Sequence, residues 1–148
     1  MSEVRHYQPA TEAEMMALGE TLRSILADGG VVYLTGDLGV GKTTLVRGLL
    51  RAFGFQGRVK SPTFGLIESY DIDGFEVHHL DLYRLGHGEE ILYLGLEDLL
   101  TDNSLMLVEW AEKGKGWLPA ADWVIEIDDR PDQSRSVEVA AASDGRSG

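Results

Sequence analysis

Gly36-Asp37-Leu38-Gly39-Val40-Gly41-Lys42-Thr43 fits G-x-x-x-x-G-K-[ST] in full, and a second hydroxyl follows at Thr44. The chemistry of that spacing is anion binding. Glycines let successive backbone N–H groups turn inward around a phosphate, and the positive N-terminus of a following helix faces the same charge. Lys42 is expected to meet the β- and γ-phosphate oxygens. The Thr43 hydroxyl is expected on Mg²⁺, a hard cation that takes oxygen ligands. Gly36 to Thr44 are thus the candidate nucleotide-binding residues, with ATP and Mg²⁺ as the expected cofactors.

A magnesium-dependent site of this kind also needs a carboxylate at the end of a neighbouring strand. Two are available: Asp81 follows Val77-His78-His79-Leu80, and Glu109 follows Leu105-Met106-Leu107-Val108. The second run is wholly apolar and suits a central strand. Glu109 is therefore assigned with Thr43 to the metal shell, and Asp81 to orientation of the attacking water or to support of that shell from behind. Guanine-specific P-loop proteins generally read their base with an Asn-Lys-x-Asp loop. The only asparagine here, Asn103, precedes Ser104, so adenine is the expected base. Ser61-Pro62-Thr63 offers loop hydroxyls that could sense the γ-phosphate, with Thr63 as a catalytic candidate; the same residues would also serve as a plain turn before a strand. His6, His78, His79 and His87 lack metal-ligand spacing and read as structural, the adjacent His78 and His79 pointing to opposite faces of a strand. Trp110, Trp117 and Trp123 suit either core or a partner surface.

The elements that must position these groups follow from apolar periodicity. Thr11-x-x-Glu14 has capping-box form and opens a helix with Met15, Leu18, Leu22, Ile25 and Leu26 on one face, ended by Gly29-Gly30. Residues 31–35 read as a buried strand leading into the glycine-rich turn. A helix over 42–53 follows, carrying Leu45, Val46, Leu49, Leu50 and Phe53 and stopped by Gly54. Strands over 64–71 and 75–82 are joined at Asp73-Gly74 as an antiparallel hairpin. Residues 89–100 suggest a helix, or two short ones broken near Gly95. Strands at 105–108, 123–127 and 136–139 complete a mixed order. The expected fold is α/β and P-loop NTPase-like: a central, mostly parallel sheet flanked by helices, with an antiparallel hairpin portion. Residues 1–142 are expected to form one domain and 143–148 a frayed tail.

Composition narrows the function classes. The 148 residues are enough for one domain, 43% are hydrophobic and 26% charged, and cysteine is absent, so thiolate metal sites and cysteine nucleophiles are excluded. No apolar run reaches signal-peptide or membrane-span length, which predicts a soluble intracellular protein. The net charge of −12 opposes direct nucleic-acid binding. Yet residues 38–67 contain no Asp or Glu and carry Lys42, Arg47, Arg51, Arg58 and Lys60, so one segment is prepared for anions.

The run GDLGVGKTTL, the SPTF of Ser61 to Phe64, the HLDLYRL of His79 to Leu85 and the VEW of Val108 to Trp110 together closely resemble the TsaE family, bacterial ATPases of tRNA threonylcarbamoyladenosine synthesis. The likeness covers about residues 10 to 140. It implies a P-loop fold, weak ATPase activity, a cytoplasmic role and two partners, TsaB and TsaD, whose complex modifies tRNA; contact with tRNA would be indirect. By the same resemblance Lys42 and Thr43 meet phosphates and metal, Ser61 to Thr63 form a switch-like loop, Asp81 lies at the hydrolytic site and Glu109 on Mg²⁺. Trp110 is then a sensitive neighbour, and Thr11 and Arg135 lie near the adenine. Arg84 is a candidate arginine finger by its position after Tyr83, with surface pairing to acidic neighbours, or a finger donated by a partner, as the alternatives. A small-molecule kinase is the alternative, although an acceptor pocket and an arginine-rich lid would have little chain left to build them.

Overall fold

Thr11 opens the first helix as the spacing predicts: its hydroxyl accepts from Glu14 N at 3.1 Å. The reciprocal half of the box is displaced by one residue, because Glu14 Oε1 accepts from Ala10 N at 2.7 Å and not from Thr11. The computed structural model describes residues 4–37, 41–60, 62 and 66–142. Its elements are β1 (Val4–Tyr7), α1 (Glu12–Leu26), β2 (Gly30–Thr35), α2 (Lys42–Phe53), β3 (Ile67–Ile72), β4 (Phe75–Asp81), α3 (Leu96–Leu99), β5 (Ser104–Glu109), β6 (Trp123–Asp129) and β7 (Arg135–Ala141). Two 3₁₀ segments, Gly88–Leu94 and Ala111–Gly114, lie between them.

The strands form one sheet in the order β1-β7-β6-β2-β5-β4-β3. Its centre, β6-β2-β5-β4, is parallel, while β3 and the β7-β1 pair are antiparallel additions at the two edges. This is the α/β architecture expected from the sequence. All six residues of β5 are buried, which explains why its run is apolar on both faces. Because β2 lies between β5 and β6, the chain leaves its carboxyl end at a point flanked by parallel neighbours on both sides. Open α/β sheets bind ligands in the crevice at such a point.

Alternation sorts the side chains into two layers. Val32 and Leu34 of β2, Leu105 and Leu107 of β5, and Ile125 and Ile127 of β6 pack beneath Leu18, Leu22 and Leu26 of α1 and Leu45, Leu49 and Leu50 of α2. On the opposite face Val31, Leu80, Met106 and Val108 are covered by Leu82, Leu85, Ile91, Leu96 and Ala111. The helices α1 and α2 meet backbone to backbone. A Cβ at Gly48 would stand 2.1 Å from the Met16 carbonyl oxygen, and one at Gly19 would stand 2.3 Å from the Gly48 carbonyl carbon. Gly48→Ala is therefore expected to cost about 3 kcal/mol by forcing the helices apart, although alanine is the better helix former. Urea unfolding measures this; a change within about 0.5 kcal/mol would contradict the close approach.

Strand bounds differ from expectation by one to three residues, most visibly in the hairpin. The strand anticipated over 64–71 begins at Ile67, because Leu66 turns the chain at φ 64°; Phe64 and Gly65 lie outside the described residues. Its partner ends at Asp81 and not Leu82, since the chain bends away once Asp81 caps the next turn through Tyr83 N at 3.0 Å. Residues 89–100 divide at Gly95, the second of the two arrangements expected, into a 3₁₀ segment and the single turn of α3. The edge strand β1 and the segment Ala111–Gly114 were not anticipated at all. The expected tail, 143–148, lies outside the described residues.

Candidate nucleotide site

The parallel register of β4 with β5 sets Asp81 beside Glu109, so the two carboxylates expected from separate strand ends emerge at one edge of the sheet. Glu109 is also opposite Leu34, two residues before Gly36. Alternation then turns His79, Asp81 and Glu109 toward the face that α2 covers, and His78 to the other. Lys42 begins α2 directly over this edge.

Lys42 is buried, 5% exposed, and its ammonium donates to the Gly36 carbonyl at 2.6 Å. Glu109 Oε1 stands 3.6 Å away, and the Trp110 ring centroid lies 4.4 Å from Nζ. Glu109 is likewise only 5% exposed. Its second oxygen, Oε2, accepts from His79 Nε2 at 2.5 Å. Burying a lysine and a glutamate costs desolvation that an open gap of 3.6 Å only partly offsets. Among the described residues the ammonium uses one of its three donors, leaving capacity directed at the site.

The described part of the glycine-rich turn enters α2 at Gly41. Gly41 adopts φ 107°, so glycine is favoured there by conformation, and Met15 Cε stands close to where a Cβ would lie. No acidic residue lies in the first turn of α2, so its macrodipole is not neutralised locally. Thr43 and Thr44 are half-buried in that turn. Gly36 and Asp37 lead out of β2; Leu38, Gly39 and Val40 lie outside the described residues, as do Ser61 and Thr63.

A cleft of about 180 Å³ adjoins the helix start, lined by Thr11, Met15, Gly41, Thr44, Gln133 and Arg135 among others. Thr11 and Arg135, distant in sequence, therefore face one space next to the start of α2. The Arg135 guanidinium is steadied by Asp129 at 3.1 Å and by the Gln133 carbonyl at 3.1 Å. Sequence reasoning missed Met15 and Gln133, since apolar periodicity marks the first only as core and nothing marks the second. On the other side of Gly36 and Trp110, Asp37, Glu112, Glu126 and Asp128 line a second cleft of about 210 Å³.

Trp110 sits at φ 59°, a conformation costly for a bulky side chain, and stacks obliquely on Tyr83 with centroids 5.0 Å apart. That places one face of the site against a partly exposed aromatic. Arg84 is exposed. His78 is buried on the far face, where Ser69 Oγ lies 2.7 Å from Nδ1 and Glu76 lies 3.3 Å from Nε2. Burial pushes its pKa below the ordinary histidine value, against a smaller upward pull from Glu76. His6 and His87 are exposed. His79, on the α2 face, touches Glu109.

A model described as "Threonylcarbamoyl adenosine biosynthesis protein TsaE" matches residues 9–137. The chain belongs to the TsaE family. A tRNA threonylcarbamoyladenosine biosynthesis protein TsaE from Haemophilus influenzae is 44% identical over 95% of this chain and 91% of its own length. Its counterpart from Treponema pallidum is 32% identical over 82% and 90% of the two chains. The fold of this TsaE-family chain superposes on a crystal structure of YdiB from Bacillus subtilis with a TM-score of 0.77 at 26% identity, covering 99% of this chain and 90% of the other. Among the described residues, no helix is long and apolar enough to cross a membrane.

Proposed function

We propose that this chain is a magnesium-dependent ATPase of tRNA N6-threonylcarbamoyladenosine synthesis, acting in the cytoplasm to control or reset a complex of TsaB and TsaD homologues. The observation that carries the ATP reading is the buried Lys42 ammonium held at the start of α2 over the Asp81–Glu109 edge. The tRNA pathway follows from the names of its relatives.

The donor set suits the cofactors. Thr43 and Glu109 supply oxygen ligands, the type Mg²⁺ prefers; with phosphate and water completing the shell, no cluster of three acidic or histidine groups is required. Among the described residues none occurs. When bound, Mg²⁺ supplies charge neutralisation on the β- and γ-phosphate oxygens. In this reading Lys42 exchanges the Gly36 carbonyl for those oxygens, backbone N–H groups from Gly36 to Thr44 cradle the phosphates, and the Thr11–Arg135 cleft receives the adenosine. Asp81 orients the attacking water, and Thr63 contributes a hydroxyl from its loop.

A protein of net charge −12 is better suited to docking on another protein than to carrying tRNA itself. Phosphate release should therefore be slow for the isolated chain and rise by about tenfold or more when TsaB and TsaD are added, as in other trans-stimulated NTPases. A pull-down with and without ATP reports the docking separately. Equal turnover with and without partners, together with label appearing on a small acceptor, would support a kinase instead.

A further inference from the structure

We propose that His79 is the positioning residue for the Glu109 carboxylate, tying back one oxygen so that the other stays open toward the phosphate side of the site. The inference rests on the ATPase reading and names a residue that neither the glycine-rich motif nor the strand-end argument includes.

His79 is 1% exposed in the middle of a central strand, an expensive place for an imidazole. Its Nε2 donates to Glu109 Oε2 at 2.5 Å, while its Nδ1 is buried and, among the described residues, has no partner. The remaining hydrogen bond has a directional consequence. With Oε2 held by His79, Oε1 rests 3.6 Å from Lys42 Nζ, beyond hydrogen-bond distance. Released from the imidazole, Glu109 could rotate onto the ammonium and form a closed pair, which would take both the carboxylate and the lysine out of service. His79 thus keeps two opposite charges adjacent but uncollapsed, the arrangement a group bridging them needs.

Full-length His79→Leu and His79→Gln test this, the first filling the space without a donor and the second offering an amide N–H near the same point. Binding of a fluorescent ATP analogue is measured with excess EDTA and across a Mg²⁺ titration. The Leu variant is expected to need about 10–100-fold more Mg²⁺ for half-maximal tightening, the usual effect of removing a group that orients a metal ligand, with metal-free affinity within about twofold of the parent. The Gln variant should recover to within about fivefold. Equal losses with and without Mg²⁺ would mark a purely structural role and overturn the proposal, as would a Leu variant that titrates like the parent or a Gln variant no better than Leu. If the parent itself shows no Mg²⁺-dependent binding, the ATPase reading fails first and the positioning role with it. Thermal melting of each variant confirms that folded protein is compared.

Discussion

Lys42→Ala is expected to abolish measurable ATP binding, lowering affinity by at least about 100-fold. Each charge-assisted hydrogen bond from the ammonium to a phosphate oxygen is worth about 1.5–3 kcal/mol, and the motif places the lysine against two phosphates. The variant should also lose stability, since Glu109 would remain buried with His79 as its hydrogen-bond partner. Breaking a buried ion pair from one side costs about 3–5 kcal/mol. The two losses separate in a double variant: Lys42→Met with Glu109→Gln removes both charges, and should regain much of the stability but none of the binding. Calorimetric titration and urea unfolding read the two effects. Unchanged affinity in Lys42→Ala would remove the ammonium from the phosphate site.

The second large effect concerns Asp81. Its carboxylate accepts from Tyr83 N at 3.0 Å, so an alanine there would disturb the turn as well as the chemistry. Asp81→Asn keeps an acceptor for that N–H and removes the charge. Nucleotide affinity should stay within about threefold, while hydrolysis falls by about 10²–10⁴-fold, the usual worth of a positioned acid–base group. Single-turnover assays at saturating ATP make the comparison. Normal turnover would leave Asp81 as a turn former and nothing more.

What could be read from the sequence follows the range of each interaction. The P-loop spans eight consecutive residues and its chemistry is local, so Gly36 to Thr43 announce both the site and the strand and helix around it. The carboxylates at Asp81 and Glu109 could be nominated because each follows a strand-like run, yet their adjacency depends on the β4–β5 register, which no local pattern encodes. The contact of His79 is hidden for the same reason: spacing along the chain gives it no ligand partner, whereas the β4–β5 register sets it opposite Leu107 and brings Glu109, two residues on, within reach. Thr11 and Arg135 come from opposite ends of the chain, and their shared cleft was accessible only through family resemblance. The strand β1 escaped notice because its residues Val4, Arg5 and His6 are exposed and show no apolar alternation; β7 recruits it by edge pairing.

The central claim is that the α2 N-terminus, Lys42 and the Asp81–Glu109 edge form an ATP site. A crystal structure of the chain with Mg²⁺ and a nonhydrolysable ATP analogue tests it most directly. The account predicts that Lys42 Nζ leaves the Gly36 carbonyl and lies about 2.7–2.9 Å from phosphate oxygens, with Thr43 and Glu109 at the metal and the base in the Thr11–Arg135 cleft. An analogue bound elsewhere, with Lys42 still seated on Gly36, would contradict it.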